Sequence, residues 1–381
     1  MVMFMKERTI LCLFVLLLAL LGSCTRQQLP ARLEDFGENE VRYARGFTLQ
    51  RHNGVTRVAV RNPWDSLSAL AVYYMVGNAS VPVPADGQKV VVPIRRMVTT
   101  STTHYEPIDL LHELGSVVAV CNPERTYNLQ VRSAVAEGRV AGLGDNFNIN
   151  REVLVGVRPE ALLVSRYSAT DQSLAAIEND GYLIVYNQEW QEQTLLGRAE
   201  WIKLVGALYG KEAMADSVFR ATEKAYNELK DLVTNVEAKP KVMSGCGYHG
   251  TWYVPGGQSY MADLYRDAGA SYAFNDDRQV GSLPLSLETV LTSFADADYW
   301  FGVQQGSMAD VRSAEPRIAS LKAVGSGQVF SFNRRRGPNE SSDFWEGAIS
   351  HPDLLLADVI AVLHPQLLPN HQFTYVEKVK E

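Results

Sequence analysis

Six segments of the chain gather the side chains that could recognise or ligate a small molecule. Residues 99–105 carry His104 and Tyr105, and residues 121–127 carry Cys121 and Tyr127. Residues 165–167 carry Arg166 and Tyr167, and residues 186–190 carry Glu189 and Trp190. Residues 246–253 carry Cys246, Tyr248, His249, Trp252 and Tyr253, and residues 333–336 carry Arg334 and Arg335. Aromatic rings offer stacking surface to a large planar ligand. Guanidinium groups suit carboxylates and other anions. An imidazole or a phenolate could ligate a metal centre. Each residue taken singly also has a plain structural use: the rings as packing, each His as a hydrogen-bonded residue, the arginine run as solvated surface. Covalent chemistry is not signalled. There is no Gly-x-Ser-x-Gly elbow, and His112-Glu113 continues as Leu114-Gly115 without the second His of a His-Glu-x-x-His site.

The elements between these segments place them. From Met97 onward, short apolar runs at 117–120, 161–164 and 183–185 read as strands, with helices expected at 107–114, 151–157 and 173–179. Strands alternating with helices predict βαβ units on a mostly parallel sheet. Helices follow at 196–209 and 211–236, with Gly210 and Pro240 as breaks. In the second, Val218, Ala225, Leu229, Leu232 and Val236 recur at helical period and predict its buried face. The α/β texture resumes at Lys241, with strands expected at 242–244, 299–303 and 329–332 and helices at 259–268, 287–294, 317–324 and 352–363. The expected fold class is α/β: two α/β lobes joined by a long backbone helix, with a ligand cleft between them. The division predicted is 95–195 for the first lobe, 196–239 for the connecting helices and 240–381 for the second lobe. Ahead of them, 24–94 reads as a tether and a small β segment, with strands at 56–61, 70–76 and 90–94. In open α/β sheets ligands bind beyond the carboxyl ends of strands, which is where the six segments fall.

One echo joins the two lobes. Asn150 precedes Glu152 and Ser286 precedes Glu288, each pair opening a helix that leads into a strand. A Glu in a first helical turn gains about 0.3–1 kcal/mol from the helix dipole with no function attached. Its repetition at matching places is the feature that dipole does not explain.

The N-terminus is an address. Lys6 and Arg8 precede an apolar run, 10–21, that is too short to span a bilayer comfortably. It ends in Leu21-Gly22-Ser23-Cys24, which resembles the bacterial lipobox. Residues 1–23 are therefore expected to be a signal peptide and Cys24 a lipidated first residue, anchoring the protein to a membrane facing the periplasm. The 381 residues carry 36 Lys plus Arg against 43 Asp plus Glu, a net charge of −7. That leaves no basic excess for nucleic acid. With 46% hydrophobic and 21% charged residues the chain can bury a large core and is not a disordered one. Four Cys are too few for a disulfide scaffold. Cys12 leaves with the signal and Cys24 takes lipid, so Cys121 and Cys246 remain. Pairing them across a cleft would need Cα atoms within about 7 Å and would lock the lobes, so both are expected free.

Lipobox, α/β lobe, long helix and α/β lobe together resemble the helical-backbone class of substrate-binding lipoproteins that serve ABC importers of iron chelates, haem and cobalamin. The resemblance covers roughly residues 95–368. It rests on Ile149-Asn150-Arg151-Glu152-Val153-Leu154 with Val157-Arg158-Pro159-Glu160-Ala161-Leu162-Leu163-Val164, on Val254-Pro255-Gly256-Gly257-Gln258-Ser259-Tyr260, and on His351-Pro352-Asp353-Leu354-Leu355-Leu356-Ala357-Asp358 followed by Leu363-His364-Pro365. The leading Arg61-Asn62-Pro63-Trp64 is similar to a variant common in Bacteroidetes-type members. The resemblance implies a monomeric binding protein and no enzyme, with no intrinsic cofactor, an ABC permease and its ATPase as partners, and an iron complex, siderophore or haem, as cargo. Cobalamin is the alternative cargo. It implies permease docking by Glu152 and Glu288 onto Arg pockets. It makes the cleft set His104, Tyr105, Tyr127, Arg166, Tyr167, Trp190, Tyr248, His249, Trp252, Tyr253, Arg334 and Arg335, with His104, His249 or a cleft Tyr on the iron if the ligand is haem. Three other readings remain: a tetrapyrrole chelatase using His104, His249 and Glu189, a receptor for bare Zn²⁺ or Mn²⁺, and a passive surface adhesin.

Overall fold

The structure, a computed structural model, describes residues 35–381. The expected signal peptide and Cys24 lie outside the described residues.

Each lobe is built on one five-stranded sheet. In the first lobe the spatial order is Ile184–Tyr186, Ala161–Val164, Met97–Thr99, Val117–Val120, Ala141–Gly142, all parallel. Met97–Thr99, Ala161–Val164 and Ile184–Tyr186 are buried at every position, as strands covered on both faces must be. The order reverses between Met97–Thr99 and Ala161–Val164. That is the point at which an open α/β sheet leaves a crevice. In the second lobe the order is Ser271–Tyr272, Lys241–Ser244, Tyr299–Phe301, Val329–Ser331, Glu377–Lys378, with only the last pair antiparallel. A three-stranded antiparallel sheet, Cys246–Tyr248, Thr251–Pro255 and Ser282–Leu285, extends this lobe. It was not legible in the sequence, because Gly247 and Pro284 stand within its strands.

Two helical stretches join the lobes. Leu195–Glu200 and Ile202–Tyr209 run on through Trp201 and are buried throughout. Thr194 caps the first of them, accepting from the Gly197 N–H at 3.0 Å. Leu195 and Leu196 lie in the second-lobe core, while Ala199 to Tyr209 lie in the first. Gly210, at φ +63°, ends the stretch as expected. The next helix, Glu212–Leu232, has 21 residues and is about 31 Å long at 1.5 Å per residue. Its buried stripe is Ala215, Phe219, Thr222 and Tyr226, not the expected face beginning at Val218. Phe219 enters the first core and Tyr226 the second, so two large aromatics set the rotation of this helix; Val218 and Leu229 pack at the margins of the two cores and Leu232 is exposed.

The small β segment is a four-stranded sheet: Phe47–His52, Val55–Arg61 and Ala69–Val76 form an antiparallel meander, with Gln88–Val91 parallel to the third. It is fused to the first lobe. Phe47, Leu49, Val58, Val60, Tyr73 and Met75 share its core, and the Tyr73 hydroxyl donates to the Ile184 carbonyl at 2.9 Å.

Candidate functional site

A cavity of about 820 Å³ lies between the lobes. The first lobe gives it Thr103, Tyr167 and the turn 188–193. The second lobe gives it Pro255, Tyr260, Gly281, Ser282 and Trp345. A third wall comes from the N-terminal sheet, through Arg45, Gly46 and the turn from Arg61 to Ser66. A second cavity of about 400 Å³ shares Tyr167 and Trp345 with it and continues along Thr100 to Thr102, Cys121, Asn122 and Arg125. Thr100 to Thr103 and Tyr167 are thus the loops at the carboxyl ends of the two strands that flank the sheet's reversal.

The aromatic surface is held in place. Tyr167 packs against Trp190 in a tilted arrangement with centroids 5.3 Å apart and against Phe147, also tilted, at 5.7 Å. The Trp190 indole N–H donates to Gln188 Oε1 at 2.9 Å. Trp345 is 50% exposed and is braced edge-on by Phe344 at 4.8 Å, which in turn stacks on Phe332 at 4.7 Å. Arg198, from the connecting helix, ties the two sides together. Its guanidinium pairs with Glu189 at 2.6 Å and lies 4.2 Å over the Tyr260 ring. Burial opposes its charge, but Glu189 and Tyr260 outweigh burial and raise its pKa, so it stays a cation.

The sequence-derived set divides. Tyr167 and Trp190 line the main cavity, whereas Arg166 lines none of the three cavities and lies 5.6 Å over the Trp64 ring. Tyr127 and Arg335 line a separate interlobe recess of about 470 Å³, where Arg335 pairs with Asp343 at 2.7 Å. The other seven residues lie elsewhere. His104 and Tyr105 are wholly buried beneath the loop. His104 meets Ser165 Oγ at 3.1 Å, and burial lowers its pKa to about 3, so it is a neutral core residue. Trp252 is buried against Trp300. Tyr248 and His249 are exposed at a hairpin tip, with His249 at φ +48°, and line no described cavity. Arg334 and Tyr253 are likewise outside all three cavities. His104, His249 and Glu189 do not converge, since Glu189 is buried on Arg198. Cys121 and Cys246 are free, and burial pushes the Cys121 thiol up to about 12.

Sequence reasoning missed Trp345, Tyr260, Arg198, Arg45 and Arg61. Trp345 ends the short 3-10 turn Asp343–Trp345, well past any strand end. The one available signal for the third wall was Arg61-Asn62-Pro63-Trp64 itself.

The lobes also touch directly on one side of the cleft. Glu346 of the second lobe accepts from the Tyr127 N–H at 2.6 Å and the Asn128 N–H at 2.7 Å. His351 meets Glu106 at 2.8 Å, and the Asn339 side chain donates to the Glu124 carbonyl at 3.2 Å.

A family model described as periplasmic binding protein matches residues 100–335. The chain belongs to the periplasmic binding protein family. This periplasmic binding protein is 26% identical over 318 residues to an uncharacterized lipoprotein of Methanocaldococcus jannaschii, covering 79% of this chain and 74% of that one. A second uncharacterized lipoprotein of the same organism is 26% identical over 362 residues, 90% and 88% of the two chains. Among solved structures, a periplasmic heme binding protein from Pseudomonas aeruginosa aligns with a TM-score of 0.59 at 15% identity, over 76% of this chain and 99% of that one. A periplasmic vitamin B12 binding protein of Vibrio cholerae aligns at 0.53 and 14% identity, over 73% and 99%. These likenesses establish the two-lobed fold. The family is one of substrate-binding transport proteins, so this chain is a ligand-binding protein rather than an enzyme and carries no intrinsic cofactor.

Proposed function

We propose that this periplasmic binding protein is the cargo-binding component of an ABC importer, capturing an iron complex, siderophore or haem, and delivering it to the permease and its ATPase. The observation that carries this reading is the 820 Å³ interlobe cavity walled by Tyr167, Trp190, Tyr260 and Trp345. Its volume suits a drug-sized or larger ligand, and its rings suit a planar one. The heme binding protein of like fold supports such a cargo, and the vitamin B12 binding protein supports cobalamin as the alternative. If haem is the cargo, the cavity phenols Tyr167 and Tyr260 are the available protein ligands. A bare-cation receptor is less well supported: among the described residues no group of three or more His, Cys, Asp or Glu side chains is arranged to hold a metal.

Docking would use Glu152 and Glu288, which are exposed at the N-termini of Arg151–Val157 and Leu287–Ser293, one on each lobe. A rim carboxylate can take a bidentate guanidinium from a permease. Glu288 already meets Arg317 at 3.0 Å, so a permease arginine would exchange with that pair. The lipoprotein relatives support an anchor at Cys24 and a periplasmic location.

The test is a visible absorption titration of the purified protein with haemin, a ferric tris-catecholate and cyanocobalamin. A shifted Soret band saturating at one equivalent is the expected result for haem. Binding of another complex moves the cargo within the same function. Silence with all three overturns the reading.

A further inference from the structure

We infer that the N-terminal sheet is a working wall of the cleft, whose Arg45 and Arg61 select a ligand bearing an anionic group. This rests on the cleft-binding reading above and narrows its ligand.

The family match starts at residue 100, and the P. aeruginosa protein is spanned over 99% of its length by only 76% of this chain. Yet Arg45, Gly46, Arg61, Asn62, Pro63 and Ser66, all ahead of the family match, line the main cavity. The sheet is therefore not only a tether.

Its placement is fixed by buried carboxylates from the connecting region. Glu200 accepts from the backbone N–H groups of Arg42 at 2.9 Å, Tyr43 at 2.6 Å and Ala44 at 2.9 Å, and pairs with Lys203 at 2.7 Å. Glu192 accepts from the N–H groups of Arg45 and Gly46, each at 2.9 Å, and from the Trp201 indole at 2.9 Å. Successive N–H groups wrapped on an anion form a nest, and here they fix the strap against the cleft floor. Gly46 is required for this fit, since a Cβ there would stand 2.7 Å from the Trp201 ring. The following turn is held too: Asn62 Oδ1 accepts from the Trp64 N–H at 3.0 Å, and Arg166 lies over the Trp64 ring.

The charges then decide the ligand. Of the cavity's ionisable groups, Glu192 is consumed by its three donors and Arg198 by Glu189. Arg45 and Arg61 are exposed and make no ion pair among the described residues. Gln188 adds a donor: it is 2% exposed, lines the cavity, and its Nε2 has no partner. The cleft thus offers two unpaired cations and an unmet amide donor, with no unpaired carboxylate on its lining. Such a surface attracts carboxylates or catecholate oxygens bound to a metal and gives a neutral complex no advantage.

The test compares wild type, Arg45→Gln/Arg61→Gln and Arg45→Lys/Arg61→Lys, each confirmed folded by an unchanged thermal midpoint. Binding is measured with haemin, a ferric tris-catecholate and uncharged cyanocobalamin at low and high salt. The expected result is that wild type binds at least one anionic complex, the Gln pair weakens it at least tenfold, and the Lys pair retains most of it. Salt should weaken wild type more than the Gln pair. Equal binding of the anionic complex by wild type and the Gln pair overturns the inference alone, as does binding of cyanocobalamin only. Silence with every complex overturns the receptor reading and this inference with it.

Discussion

At the scale of single residues, a few side chains shape the cleft. Trp345 projects into both cavities and is braced by Phe344, so it presents a preorganised stacking face. Trp345→Ala should weaken cargo binding by about 10- to 100-fold, roughly 1.5–3 kcal/mol, with little change in thermal midpoint. Quenching of intrinsic fluorescence on titration measures it, and an unchanged dissociation constant would remove Trp345 from the site. Gly46 is a stability residue. Gly46→Ala drives a methyl into the Trp201 ring and should cost about 1–3 kcal/mol in thermal unfolding. His104 shows why residue type alone misled the reading of the site. A histidine in a Thr-rich loop has the composition of a ligand, but the loop turns it inward onto Ser165, and burial keeps it neutral. Nothing local distinguishes those two directions.

At the scale of elements, legibility followed burial. The strands Val117–Val120 and Ala161–Val164 and the helices Arg151–Val157 and Pro352–Leu363 have the bounds read from the sequence. Buried parallel strands are unbroken apolar runs, and Asn150 and Pro352 mark helix starts. The stretch 317–324 was expected to be one helix, but it divides into the 3-10 turn Pro316–Ser320 and the short helix Lys322–Gly325, with Leu321 extended between them. The strap 42–46 was not legible, because Glu192 and Glu200, which hold it, lie about 150 residues along the chain. Glu200→Ala strands the buried Lys203 ammonium and frees three N–H groups. It should cost about 3–5 kcal/mol. Limited proteolysis should then cut near residues 40–46, and resistance equal to wild type would contradict the anchoring role.

The interlobe bridge makes a pH prediction at the same scale. Burial raises the Glu346 carboxyl to about 7, with Asp343 and Glu106 adding to the shift and the two backbone donors opposing it. For His351, burial lowers the pKa, but the bond to Glu106 and the charges of Asp353 and Asp343 outweigh it and raise it. Both groups hold protons more tightly when folded. Stability from Glu346 therefore falls as pH rises from the ordinary carboxyl range through about 7, and the His351 contribution, full below about 6.5, is lost as pH rises through its folded pKa. The thermal midpoint should drop between pH 5 and 8, and Glu346→Gln should flatten that slope. A slope unchanged in the variant would place the pH dependence elsewhere.

At the scale of the whole molecule, two sheets and two crossing helical stretches make a cleft whose walls cannot separate freely. Glu212–Leu232 is packed into both cores, and the bridge at Glu346 spans the lobes. The closure expected is therefore small. Charge reversal at Glu152 and Glu288 should abolish uptake in cells while leaving the dissociation constant within about twofold, since neither residue lines a described cavity. Lost affinity in that double variant would refute the docking role. The two-lobed plan was readable because alternation of strands and helices is a property of the chain. The composition of the cleft was only partly readable, because it is made where three distant segments meet.

The most direct measurement is backbone hydrogen exchange with and without a saturating iron complex. A ligand between the lobes should slow exchange at once in the turns 188–193 and 61–66, in residues 255–261 and in residues 341–346, on all three walls. Binding accompanied by protection on one lobe alone, or outside these segments, would contradict the interlobe site.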